Sequence, residues 1–137
     1  MNKKISIIII FFVIALLFGL FLSMIFHPFL QPLKILQKNV SKKVPLGTEE
    51  TIFYEIAKQN DWAIVETRNC GLIQHSADSI TFAYLEEWQE DAIGIKSVRL
   101  CIDRFFPSKY SSVDLYVAFD EKNTVCFIHV EKTYGWP

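Results

Sequence analysis

Three sets of residues in this 137-residue chain have the types and spacing that chemistry would use. Cys70, His75 and Asp78 lie close together, and a thiol, an imidazole and a carboxylate are the parts of a nucleophile with its base and orienting acid. That chemistry also needs a rigid turn and an oxyanion element. The stretch NCGLIQHSAD shows no strand–turn–helix pattern, so it reads as a loop with incidental polar residues. Asp114 and His129 form a second pair, facing each other across a predicted hairpin. A carboxylate opposite an imidazole makes a cross-strand hydrogen bond or ion pair. A metal site would require a further ligand, and His27 lies at the membrane end of the chain. The third set, Glu86, Glu87, Glu90 and Asp91, is acidic, but calcium loops alternate their ligands around a turn glycine. Adjacent pairs of acids fit a solvated face better. No phosphate loop, serine-hydrolase elbow or nucleotide fingerprint is present. These residues point away from an enzyme, and no cofactor or metal is expected.

Cys70, Cys101 and Cys126 are an odd number with no CxxC spacing, which suits neither a disulfide framework nor a zinc site. Cys101 alternates out of phase with Val98, Leu100 and Ile102, whereas Cys126 falls in phase with Ile128 and Val130. The two thiols are therefore expected on opposite sides of one sheet, unable to bridge, and all three cysteines are expected free.

The elements that must position these groups begin at the membrane. Residues 5–26 read ISIIIIFFVIALLFGLFLSMIF, without a charge and with only Ser6 and Ser23 as hydroxyls. A helix of that length rises roughly 33 Å, enough for a hydrocarbon core of about 30 Å. Apolar residues on every side leave no polar face, so the lipid bilayer is the expected partner. The apolar run is too long for a secretory signal peptide, and Leu22, Ser23, Met24 and Ile25 form a poor cleavage site. An uncleaved signal anchor is expected. Lys3 and Lys4 favour a cytoplasmic N-terminus, while Lys34, Lys38, Lys42 and Lys43 pull the other way from further off. The predicted layout is a single-pass protein of the inner (plasma) membrane: a cytoplasmic tail over 1–4, the span over 5–26, a juxtamembrane stalk over 27–47, and a periplasmic or extracellular domain over 48–137.

His27-Pro28 ends the span. Leu33, Leu36 and Val40 then recur at helical spacing between lysines, which predicts a short amphipathic stalk helix near acidic headgroups. Pro45-Leu46-Gly47 breaks it. Thr48 is the expected N-cap of a helix reaching about Asn60, with Ile52, Phe53, Ile56 and Ala57 on its inner face. Strands are predicted over 62–68, 97–103, 112–119 and 124–132, while 79–88 fits helix and strand equally. Asp120-Glu121-Lys122-Asn123 is the expected turn, pairing Phe119 with Thr124. That register puts Val113, Leu115, Val117, Cys126, Ile128 and Val130 on one face, and Asp114, Tyr116, Ala118, Val125, Phe127 and His129 on the other. The predicted fold class is α+β: a transmembrane helix, then one capped helix on a small antiparallel sheet of three to five strands.

Residues 1–48 carry six lysines and no acid, whereas 49–137 carry all fifteen acids and a net charge of -7. An acidic soluble part excludes nucleic acid as a partner, since phosphate contacts need clustered Lys and Arg. Twelve Phe, five Tyr and three Trp supply the bulk that a core of this size requires.

PLGT before a helix, followed by VDLYVAFDEKNTVCFIHVEK, resembles small bacterial membrane-anchored envelope proteins in which a G-[ST]-x-x-x-[VI] helix start precedes strands ending FDExxxLxxxxVxK. The matching residues are Gly47, Thr48, Ile52, Phe119, Asp120, Glu121, Val130 and Lys132. The same 90 or so residues are more distantly similar to the α/β domain of the SmpA/OmlA outer-membrane lipoproteins and of β-lactamase inhibitor proteins. This chain departs from the lipoproteins in having no cysteine just after its apolar run. The resemblance implies a non-enzymatic binding or scaffold role.

Two function classes follow as expectations. In one, the chain is a membrane-tethered binding module of the envelope, a scaffold or an inhibitor or immunity protein, whose partner is another envelope protein. Asp114, Tyr116, Phe127 and His129 are then the candidate partner surface, unless Tyr116 and Phe127 form a second core layer under residues 71–91. In the other, it is a small accessory subunit of a membrane complex acting through residues 5–26. That span lacks buried charges and a GxxxG pair.

Overall fold

A computed structural model describes residues 3–27, 30–77, 79–83, 90–104 and 111–134. The fold is α+β. Helix α1 (Lys3–Phe26) is followed by α2 (Leu33–Lys43) and α3 (Glu50–Gln59), then by strands β1 (Ala63–Arg68), β2 (Leu72–Ser76), β3 (Ser79–Phe82), β4 (Lys96–Arg104), β5 (Ser112–Phe119) and β6 (Val125–Thr133). Helix α1 is long and apolar enough to cross a membrane, and none of its residues from Ile5 to Ser23 is buried. Its Ser23 hydroxyl donates to the Leu20 carbonyl at 2.8 Å, so this polar group is satisfied within the helix.

The main sheet is antiparallel in the order β1-β4-β5-β6, and β2 and β3 form a separate two-stranded ladder. Alternation assigns one face to Val98, Leu100, Val113, Leu115, Val117, Phe119, Ile128 and Val130. Helix α3 covers it with Phe53 and Ala57, and the rings of Phe53 and Phe119 meet edge-on at 5.4 Å. Ile56 packs at the rim, while Ile52, expected inside, is exposed.

Helix α2 belongs to the same core. Leu36, Val40 and Val44 are buried with Val113 and Leu115, so residues 33–44 are a structural part of the domain and not a free stalk. Helix α2 also closes one edge of the sheet. The Gln37 amide donates to the Ile128 carbonyl at 2.9 Å and accepts from the Val130 N–H at 2.7 Å, bonding β6 as a further strand would. Two more contacts fix the junction with α1: His27 Nε2 lies 3.5 Å from Asp103, and Lys132 Nζ donates to the Gln31 carbonyl at 2.6 Å.

Thr48 does not cap α3. Its hydroxyl donates instead to the Pro45 carbonyl at 2.6 Å, tightening the turn in which Gly47 has φ +86°, and Glu49 occupies the cap without a side-chain bond. The start of α3 is held by the β5–β6 hairpin. Val125 N–H donates to Thr48 O, Glu50 N–H donates to Asn123 O, and Glu50 pairs with Lys96 on β4.

The hairpin register differs from the expected one. Asn123 adopts φ +56°, and the turn closes with the Asp120 N–H on the Thr124 carbonyl at 2.9 Å, so Phe119 pairs with Val125. Cys126 is then an extra residue opposite the Ala118/Phe119 step, and beyond it Val117 pairs with Ile128 and Tyr116 with His129. The slip of two residues preserves the faces of residues 127–132. The bulge exchanges Val125 and Cys126: Val125 joins the inner core and Cys126 the opposite cluster.

That second face carries Tyr116, Ala118 and Phe127, with Leu72, Ile80 and Phe82 of the β2–β3 hairpin packed over part of it. NCGLIQHSAD, expected as loop, therefore contains strand β2; its buried Leu72 and Ile73 are the anchors. The first residues of the ambiguous 79–88 stretch are strand, and residues 84–88 lie outside those described. Two glycines permit the close approach. Gly94 has φ +77°, and a Cβ there would sit 2.6 Å from the Phe119 carbonyl; a Cβ on Gly71 would strike the Gly94 carbonyl.

Candidate functional site

The register aligns one polar residue from every strand of the main sheet. Glu66 pairs with Arg99, Arg99 with Tyr116, and Tyr116 with His129, forming a row across the second face from edge to edge. A second row runs through Ala63, Cys101, Asp114 and Glu131. Asp114 therefore does not face His129. Its carboxylate accepts from Ser112 Oγ at 3.0 Å and Thr133 Oγ1 at 3.2 Å, bonds that hold the strand ends.

Arg99 is the centre of the first row. Burial opposes its charge, but the Tyr116 hydroxyl to which it donates and the carboxylates of Asp114 and Glu66 outweigh that cost, so its pKa is raised. Burial pushes the Tyr116 hydroxyl up as well, against the lowering influence of Arg99. A buried polar row of this kind requires its members to be matched, which specifies register more than it adds stability. Sequence reasoning missed Glu66 and Arg99. Their signal was present: Arg99 sits between Val98 and Leu100, where alternation must send it to the face opposite the core.

Of the candidate partner surface, Asp114, Tyr116 and His129 are each less than a tenth exposed and Phe127 is half-buried. Tyr116 lies 6.0 Å from the Phe82 ring. The aromatic pair is thus a second core layer beneath the β2–β3 hairpin and not an open patch. The Cys70–His75–Asp78 set is not assembled either. Cys70 packs in the second-face cluster with its carbonyl on Ser97 Oγ at 2.6 Å, whereas His75 is exposed and its ring bonds Thr81 Oγ1 at 2.7 Å; Asp78 lies outside the described residues. Glu90 and Asp91 are exposed, and Glu86 and Glu87 lie outside the described residues. Among the described residues, no three His, Cys, Asp or Glu side chains are grouped as a metal site would require.

All three cysteines are free, but the expected reason does not hold. Cys101 pairs with Asp114 and Cys126 joins Tyr116 in the second-face cluster, so both thiols belong to the same face. What separates them is β5, which lies between their strands: two inter-strand spacings place the chains about 9–10 Å apart, beyond disulfide reach.

Two surface features bear on what the domain could meet. One is the outer edge of β1, where Ile64 and Val65 are 54% and 43% exposed and, among the described residues, no segment pairs beyond β1. The other is a cleft of about 340 Å³ between α2, β6 and the β2–β3 turn, lined by Leu33, Lys34, Gln37, Lys38, Ala77, His129 and Val130. No protein-family model, curated protein or solved structure matches the chain.

Proposed function

We propose that the chain is a membrane-tethered, non-enzymatic binding module of the bacterial envelope, a scaffold or an inhibitor or immunity protein, with its domain outside the cytoplasm. The observation that carries this reading is the docked junction. His27–Asp103, Lys132–Gln31 and Gln37–β6 join the end of a membrane-length helix to the sheet, so the domain is presented in a set orientation and not on a loose leash. The resemblance to envelope α/β domains, carried by Gly47, Thr48, Phe119, Asp120 and Glu121, points the same way. With Tyr116 and Phe127 covered, the partner surface in this proposal is the β1 edge, to which an extended segment of another envelope protein adds as a strand, with Ile64 and Val65 as contacts.

A photo-crosslinking residue at position 65 of the full chain tests this in cells. It should trap one discrete envelope protein, and the product should persist when residues 5–26 are replaced by an unrelated span. Loss of the product on span replacement would favour an accessory subunit acting through α1. Alkaline phosphatase fused after Pro137 should be active; an inactive fusion would put the domain in the cytoplasm.

A further inference from the structure

Lysines of α2 form one wall of the cleft. Lys34, Lys38 and Lys42 follow one another at i, i+4 and i+8 on the side of α2 away from Leu36 and Val40. Like charges at that spacing repel, and among the described residues none of the three has an acidic partner. Lys43, by contrast, is engaged: it bonds Asn60 and lies 5.8 Å from the Trp62 ring. Lys34 and Lys38 flank the cleft, while Lys42 does not line it. Opposite them stands the buried His129 on β6, and Leu33 adds an apolar patch. Both hydrogen bonds of the Gln37 side chain described above go to β6, leaving the two ammonium groups to meet an occupant.

The volume is that of a small-ligand site. Two cations beside an apolar wall suit an anion carried on an apolar body. The location selects which one. Only residues 27–32 separate α1 from α2, and the His27–Asp103 and Lys132–Gln31 contacts hold the fold against that connection. Six residues reach at most about 20 Å even when extended, so the cleft stays near the headgroup layer. The rest of the domain, at -7, is repelled by an anionic surface, which leaves α2 as the side that can approach it. We propose that this cleft binds the phosphate of an anionic phospholipid from the bilayer that holds α1. The inference rests on the membrane anchor of the preceding section but not on its protein partner.

The test uses the full chain with ring-labelled histidine in neutral detergent micelles, titrated separately with a short-chain phosphatidylglycerol, a short-chain phosphatidylcholine and inorganic phosphate. The His129 resonance is assigned with His129→Gln. Phosphatidylglycerol should shift it saturably and bind roughly tenfold more tightly than either comparison ligand. Lys34→Gln with Lys38→Gln should weaken binding by about tenfold, whereas Lys42→Gln should change it by less than about twofold. Unmoved His75 signals establish that the variants are folded. A His129 resonance that never responds to the lipid would overturn the proposal. So would an equal loss from Lys42→Gln, which assigns the effect to diffuse attraction along the helix. Phosphate binding as tight as the lipid's would overturn the lipid as occupant. The position-65 crosslink should survive Lys34→Gln/Lys38→Gln, so failure here and failure of the partner reading are separate results.

Discussion

The two faces of the main sheet are built from alternate residues of the same strands, yet they are held by different physics. On the inner face Val98, Leu100, Val113, Leu115, Val117 and Phe119 are fully buried under α2 and α3. These six side chains are all apolar, and burial in proportion to apolar area suffices for them. On the second face Arg99, Asp114, Tyr116 and His129 alternate with Ala118 and Phe127 beneath a short hairpin. Burial there is useful only if each polar group finds its match. The inner face therefore supplies most of the stability and the second face fixes which strand lies opposite which.

Adjacent residues of β5 allow that contrast to be broken. Leu115→Ala empties a fully buried inner position and should cost about 2–5 kcal/mol, a large part of what so small a domain has. Tyr116→Phe, one residue along and facing the other way, loses only its hydroxyl contact with Arg99 and should cost about 0.5–1.5 kcal/mol. Thermal unfolding of the full chain in micelles, followed by near-ultraviolet circular dichroism, ranks the two. Equal losses would show that the polar row carries as much of the fold as the apolar face does.

The inner face was largely legible from the sequence because period-two alternation survives a register slip of two. Val113, Leu115, Val117, Ile128 and Val130 were placed correctly although every pairing partner was wrong. The errors arose where one residue's backbone departs from the regular pattern. Asn123 in the left-handed region lengthens the turn, the bulge at Cys126 follows, and two side chains change faces. The long apolar helix α1 was legible from the sequence, whereas the role of α2 was not. Its Leu33, Leu36 and Val40 pattern identifies an apolar stripe without saying whether lipid or protein meets it, and the Gln37 bonds to β6 reach across more than 90 residues of sequence. The burial of Tyr116 and Phe127 was hidden for the same reason. Tyr116 and Phe127 have the composition of an interface, and only the packing of Leu72, Ile80 and Phe82 makes them core.

Gln37 sharpens the comparison at the point where the inner layer meets the sheet edge. Gln37→Met keeps the length of the side chain but leaves the Ile128 carbonyl and the Val130 N–H without their partner. The expected loss is about 1–3 kcal/mol, below that of Leu115→Ala. Amide exchange at Val130 should accelerate with it. An unchanged melting temperature and unchanged Val130 exchange would mean that α2 is held by Leu36 and Val40 alone.

The smallest effect concerns the turn that decides which residues reach which face. Asp120 Oδ1 accepts the N–H groups of Lys122 and Thr124, both at 2.9 Å, and Oδ2 accepts the Thr124 hydroxyl at 2.8 Å. The Thr124 N–H, followed by its hydroxyl, lowers the Asp120 pKa below its ordinary value. A carboxyl group whose pKa is lower folded than unfolded stabilises the fold at pH values above its unfolded pKa of about 3.9, and that contribution disappears as pH falls through the folded value. Asp120→Asn keeps an acceptor oxygen but has no charge to titrate. The melting-temperature advantage of the parent chain over Asp120→Asn should therefore be constant from about pH 7 to pH 5 and shrink below about pH 4. Because every other carboxylate titrates in both proteins, the difference isolates this one. An advantage that grows on acidification would mean that the turn does not hold the ionised form, and that the register separating the two faces is set elsewhere in the hairpin.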